Sequence, residues 1–212
     1  MNIDEYRTEI KCIFDEFYEG LKKYDKFYIQ VLKEDDIPQE MLTGELEIDE
    51  DFYKKYNKVI ELKTWKYMLS TVSSKDITEL ERKIGIKLPV PLVAYYTSYF
   101  HFFDSNLGIS ENSPYFPMNG IYTAYNNFMI SHGYLPFTWI QDGCLICMKL
   151  DENGNDCGIY TIDHECMFDF EYRGKVSDDE LNSAINFEAP DFLTYLRCYT
   201  LGYIDYLKSE AK

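Results

Sequence analysis

The sequence predicts an α+β fold: a mostly antiparallel sheet flanked by helices, with an N-terminal helical extension. Three observations predict it. Apolar residues recur at helical spacing from Ile3 to Leu32, short β-prone runs divided by turn signals follow Pro136, and a last helical stretch opens at Pro190. Helices first, a meander next and a helix last make an α+β domain. Residues 1–58 read as a helical extension packed on the core and 59–212 as the main domain.

The first stretch carries Ile3, Tyr6, Ile10, Ile13, Phe14, Phe17, Leu21, Tyr24, Phe27, Tyr28, Val31 and Leu32 on one stripe. It is one long amphipathic helix or two joined near Gly20, stopped by Asp35, Asp36 and Pro38. The segment "IPQEMLTGELEIDED" reads as an irregular connector. "VIELKTWKYML" is strand or helix, anchored in the core by Trp65.

The stretch "LERKIGIKLPVP" is a helical elbow. Asp76 with Glu79 is the expected capping pair, and Ile77, Leu80 and Ile84 form one apolar stripe. Gly85 suits the left-handed position past a helix end, letting Ile86 fold back on Leu80. Pro89 forces Leu88 into extended backbone, and Pro91 opens a helix that carries Leu92, Tyr96, Tyr99 and Phe103 on one side.

Beyond Phe103 a loop-like segment leads to "IYTAYNNFMISHG", a helix ended by Gly133. The runs "PFTWIQ", "CLICMKL", "CGIYTID" and "CMFDFEYR" form the meander, with turns at Asp142-Gly143 and "DENGND". The closing helix runs through "DFLTYLRCYTLGYIDYL", with Asp191 near its positive end.

With 212 residues, 46% hydrophobic and 17% aromatic, the chain can fill a core and is not disordered. Asp+Glu 37 against Lys+Arg 21 gives a formal net charge of -16, which repels phosphate backbones and excludes nucleic acid as a partner class. Two readings of that charge stay open: a solubility charge, or capture of a basic protein. "MNIDEYRTEIKC" lacks the basic flank and apolar run of a signal peptide. No apolar run approaches the ~18 residues of a membrane span. The expectation is a cytoplasmic protein with no membrane insertion and reduced cysteines.

Each candidate chemical motif has a structural explanation. Cys144 and Cys147 sit three apart in a strand and so face opposite ways, with no second pair to complete a metal site. They read as buried, reduced thiols. In "DENGND" Gly154 is fourth and the twelfth position from Asp151 is Ile162, which fits a hairpin turn and not a calcium loop. His101, His132 and His164 are the only histidines. His164 between Asp163 and Glu165 invites an acid–base or metal role, but no enzyme signature accompanies it and a solvated turn suffices. No catalytic residue, metal site or cofactor is assigned.

"ITELERKIGIKLPVPLVAYYTSY" (77–99) resembles the opening motif of the SUKH superfamily, with Glu81 in the first helix, the "IGIKLP" corner and aromatics on the second. The resemblance continues into "GCLICMKLDENGNDCGIYTID" and "EAPDFLTYL", covering roughly 65–196. The long N-terminal helix, "IPQEMLTGEL", Trp65 and "YYTSYF" look similar to the Syd-type branch. What the resemblance implies is a non-enzymatic binder. Its partner would be a basic secreted toxin, neutralised by an immunity protein, or, on the Syd-like alternative, basic cytoplasmic loops of the SecY translocon. A stable interface would bury about 1,200–2,000 Å² in total, with aromatic anchors inside an acidic rim. The acids of the exposed turns are the expected contributors: Asp151, Glu152, Asp156, Asp163, Glu165, Asp178, Asp179 and Glu180.

Overall fold

Alternation along Cys144–Leu150 decides the architecture. Leu145 and Cys147 point one way, Ile146 and Met148 the other, and all four are buried. Such a strand needs cover on both faces. A computed structural model, describing residues 1–32, 37–103, 105–140 and 142–211, shows that cover.

The central sheet is a four-stranded antiparallel meander of β6 (Tyr134–Trp139), β7 (Cys144–Leu150), β8 (Asp156–Asp163) and β9 (Ile185–Ala189), in that order; β1 to β5 and the helices are given below. One face supplies Leu135, Phe137, Ile146, Met148 and Ile159 to a large core. This core is completed by α1 (Ile3–Tyr24), α4 (Val90–Ser98) and α9 (Phe192–Glu210). The opposite face supplies Tyr134, Leu145, Cys147 and Ile162 to a smaller core. There α5 (Asn119–Ala124), α6 (Asn127–Ser131), α7 (His164–Arg173) and α8 (Asp178–Ala184) contribute Ala124, Met129, Met167, Phe170 and Leu181. The expected α+β fold is present.

The N-terminal helix is continuous from Ile3 to Tyr24, so Gly20 is not a joint. It is a point of close approach: a Cβ there would lie 2.7 Å from Ile204 Cγ1 of α9. Asn2 caps the helix with Glu5 in a reciprocal box. Arg7 Nη2 donates to Thr97 Oγ1 of α4 at 2.8 Å, Tyr203 Oη donates to Asp25 Oδ2 at 2.7 Å, and Arg197 pairs with Glu9. These bonds join α1 to its two neighbours across long sequence separations.

The helix does not extend to Leu32. Lys26–Ile29 form a 3₁₀ turn and Gln30–Leu32 form β1. The segment read as an irregular connector holds β2 (Leu42–Ile48), and α2 (Glu50–Tyr56) follows it. Gly44, at φ 81°, places an irregularity in β2 that disguises its alternation. Both strands pair antiparallel with β3 (Glu61–Trp65), in the order β1–β3–β2. This sheet takes strands from both sides of residue 58. Asp35 and Asp36, expected to stop the first helix, lie outside the described residues.

The elbow joins α3 (Ser74–Ile84) to α4. Its cap is one turn earlier than Asp76–Glu79: Ser73 is the N-cap, and Asp76 Oδ2 accepts the Ser73 N–H at 2.8 Å. Glu79 instead pairs with Lys83 at 3.2 Å. Gly85 occupies the left-handed position at φ 76° as expected. The decisive contact is Glu81. Its Oε1 accepts the Leu88 N–H at 3.0 Å and its Oε2 accepts from Lys87 Nζ at 2.9 Å, with the side chain only 11% exposed. Pro89 then caps α4, its carbonyl accepting Leu92 and Val93 N–H.

The second helix of the elbow stops at Ser98 and does not reach Phe103. Thr97 and Ser98 turn their hydroxyls back onto Val93 and Ala94 carbonyls, which loosens the last turn. Tyr99–Phe100 become β5, paired with β4 (Met68–Leu69). Buried Asn112 takes up the helix end, donating to the Tyr96 and Tyr99 carbonyls at 3.1 and 2.7 Å.

Two further corrections concern short helices. "IYTAYNNFMISHG" breaks at Tyr125, and Asn126 caps a second helix by accepting the Met129 N–H at 2.9 Å. "CMFDFEYR", read as a strand, lies within α7. Asp163 caps α7 by accepting from the Glu165 N–H at 2.8 Å, and Gly174 ends it at φ 67°.

Glu81→Ala leaves the Leu88 N–H without an acceptor and is expected to cost about 1–3 kcal/mol in urea unfolding. Glu81→Gln, which keeps an acceptor oxygen, is expected to lose less.

Candidate functional site

Sheet register separates the acids that the sequence suggested. Leu150 lies opposite Asp156 and Cys144 opposite Asp163, so the two groups occupy opposite ends of the β7–β8 hairpin. At about 3.3 Å per residue, Asp156 and Asp163 stand roughly 23 Å apart. Asp151, Glu152 and Asp156 share one end; Asp163 and Glu165 share the other. Asp178, Asp179 and Glu180 form a third group, the first turn of α8.

Several of these carboxylates are committed to the fold. Asp151 Oδ1 accepts the Asn153 and Asn155 N–H, both at 2.8 Å, closing the expected hairpin turn. The bonds from Asn155 lead those that lower its pKa. Asp156 is half-buried and accepts the Gly158 N–H at 2.9 Å and the Phe192 N–H at 2.8 Å, tying β8 to the start of α9. Burial raises its pKa, against those two bonds. Glu180 closes a capping box with Ser177 and meets Arg173 at 3.0 Å. The Ser177 backbone N–H, then Arg173, pull its carboxyl down to about 2. Glu152, Glu165, Asp178 and Asp179 are exposed.

The sequence reading missed the aromatics among these acids. As a strand, "CMFDFEYR" would put Phe168, Phe170 and Tyr172 on one face. As a helix it buries Met167 and Phe170 and turns Phe168 and Tyr172 outward, 53% and 92% exposed. Glu165, Phe168 and Tyr172 stand at i, i+3 and i+7 and share a stripe. Phe187 of β9 is 60% exposed and contacts the Tyr160 ring. Arg173 joins Asp169 to Glu180, linking α7 to α8. Phe168 and Tyr172 are therefore exposed among the carboxylates of α7 and α8, and Phe187 is exposed on β9, the strand into which α8 leads.

Among the described residues the three histidines stand apart from any catalytic grouping. His101 is buried, its Nε2 2.9 Å from Tyr95 Oη, and Tyr95 donates to the Ser110 carbonyl at 2.6 Å. Burial pulls its pKa down to about 3, so the ring is neutral at pH 7. His164 is the first residue of α7. Its Nδ1 is buried with no hydrogen-bond partner among the described residues, packed where a Cβ on Gly143 would come within 2.6 Å. Asp163 points to the helix N–H groups and not to this ring. Among the described residues no three His, Cys, Asp or Glu side chains could hold a metal ion.

Cys147 is buried in the smaller core and Cys144 half-buried, each with its thiol pKa raised by burial. Cys157 and Cys166 are exposed. A cleft of about 480 Å³ opens beside β1, lined mainly by Phe27, Tyr28, Leu32, Leu62, Trp65 and Phe102, remote in sequence from all of the acids above. No described helix is long and apolar enough to cross a membrane.

Residues 71–197, more than half of the chain, match the model of the SMI1 / KNR4 family (SUKH-1). The match begins just before α3 and ends within α9, so it includes the elbow, the central sheet and the acidic aromatic surface. It does not point to the Syd-type branch. No curated protein and no solved structure matches the chain.

The His101 pKa lies below its unfolded value, so the unfolded chain takes up the proton first. Stability is fully present above pH 6.5 and is lost as pH falls toward 3, at up to about 1.4 kcal/mol per pH unit from this group. Urea titrations between pH 7 and 4.5 are expected to show a steeper decline for the wild type than for His101→Asn.

Proposed function

The chain belongs to the SMI1 / KNR4 family (SUKH-1), and on that premise we propose that it is a non-enzymatic immunity protein. It neutralises a basic secreted toxin domain by binding it one to one in the cytoplasm. The observation that carries this reading is the surface of α7, α8 and β9, where Phe168, Tyr172 and Phe187 are exposed among Glu165, Asp169, Asp178, Asp179 and Glu180. Exposed aromatics supply contact area at low entropic cost, and a surrounding acidic rim selects a basic partner and speeds its capture. The formal net charge of -16 extends that attraction over the molecule.

The acids proposed as contacts divide by availability. Glu152 and Glu165 are exposed and can meet a partner, whereas Asp151, Asp156, Asp163 and Glu180 already serve turns and helix caps. These four shape the surface and set its field.

Co-expression with the toxin domain encoded beside the gene tests the reading. Restored growth and a one-to-one complex are expected; neither rescue nor a complex would remove it. Asp178→Lys with Asp179→Lys is expected to slow association about tenfold at low salt, with the difference shrinking as salt rises.

A further inference from the structure

The two edges of the central sheet are treated differently. At the β6 edge, Thr138 Oγ1 donates to the Ile109 carbonyl at 3.4 Å and Ser110 Oγ to the Phe137 carbonyl at 2.5 Å, so the 109–110 segment lies against the strand. Pro136 removes a donor there as well.

The β9 edge has no such cover. Asn186, Phe187 and Glu188 are exposed in succession, so both faces of the strand and its rim meet solvent. Among the described residues, the backbone bonds of β9 run to β8 and, from the Ile185 N–H, to Leu181; none runs outward. "INFEA" contains neither Pro nor Lys, the residues that commonly blunt an edge. Its pairing with β8 is irregular at Glu188, the extra residue between Phe187 and Ala189, and the Ile185–Phe187 part of the strand is regular.

Charge selects what pairs there. Glu188 lies on the strand, and α8, with Asp178, Asp179 and Glu180 in its first turn, leads directly into it. Of the cations at the end of α7 and before α8, Arg173 is engaged by Asp169 and Glu180, and Lys175 is exposed. Pairing two copies edge to edge would bring both sets of carboxylates together in a molecule of net charge -16, so a second copy is disfavoured.

We propose that β9 is a docking edge for an extended basic segment of the partner protein, which adds as a fifth strand and lays an apolar side chain beside Phe187. Main-chain hydrogen bonds give the affinity, and the acidic flanks with the Phe187 ring give the selectivity. This rests on the binding reading above but can fail without it.

The probes are three synthetic peptides added to the full chain: acetyl-Lys-Val-Lys-Val-Lys-amide, its Glu-for-Lys counterpart, and a Pro-for-Val version of equal positive charge. Amide hydrogen exchange and backbone chemical shifts report the contact. The basic valine peptide is expected to slow exchange at 186–188 and to bind about tenfold tighter than either control, with Phe187→Ala weakening it several-fold. Equal binding of the proline peptide, protection elsewhere, no binding at all, or a dimer of the free chain formed through β9 would each overturn the proposal. Neutralisation of the toxin domain without protection of 186–188 would also overturn strand pairing while leaving the immunity reading intact.

Discussion

The Glu81 carboxylate holds the corner on which the rest of the molecule depends. A charged side chain that is 11% exposed must satisfy its oxygens, and this one does so on the Leu88 N–H and on Lys87. That contact fixes how far the chain travels between Gly85 and Pro89, and so fixes where α4 begins. From α4, Tyr95 and Tyr96 reach Ser110, and Ser110 reaches the Phe137 carbonyl of β6. The corner is therefore connected to the sheet through the backbone of α4 and then the buried hydrogen bonds of Tyr95, Tyr96 and Ser110. Those bonds are strong in a low-dielectric interior and costly to leave unmade.

The acidity of the chain has two uses. Many carboxylates sit at helix starts, where the unpaired N–H groups and the positive end of the helix dipole favour them: Asp76, Asp163, Glu180 and Asp191 are examples. These acids are structural, and their negative field is a by-product that a basic partner would feel. Asp178 and Asp179 share a first turn with Glu180 but, among the described residues, do not serve its cap, so like Glu152 and Glu165 they can meet a partner. The helices thus order the backbone and set a local potential together. Beside them, Phe168, Tyr172 and Phe187 lie within the family-matched segment, whereas the apolar cleft near Phe27 lies outside it except for Phe102.

The elbow was legible because its signals are local. Gly85 and the two prolines restrict backbone angles whatever surrounds them, and the resemblance rests on the same residues. Glu81 was visible only as a residue of the motif; its bond to Leu88 depends on the folded corner. The α7 error came from period. Phe168, Phe170 and Tyr172 alternate as a strand would, while the helical pair Met167 and Phe170 overlaps the same letters. Asp163 before Glu165 was the cap signal that could have decided it. At Gly20 the sequence leaves one helix or two open, because it cannot show Ile204 arriving against that position. The acids could be named as surface residues, but their grouping required strand register.

The central claim is that the α7–α8–β9 surface carries the binding. A hydrogen-exchange footprint of the complex with the proposed toxin-domain partner measures this most directly. Protection centred on 165–173 and 178–188, with α1 and the cleft beside β1 unchanged, is the predicted result. Protection confined to α1 or to the cleft, with 165–188 exchanging as in the free chain, would contradict it.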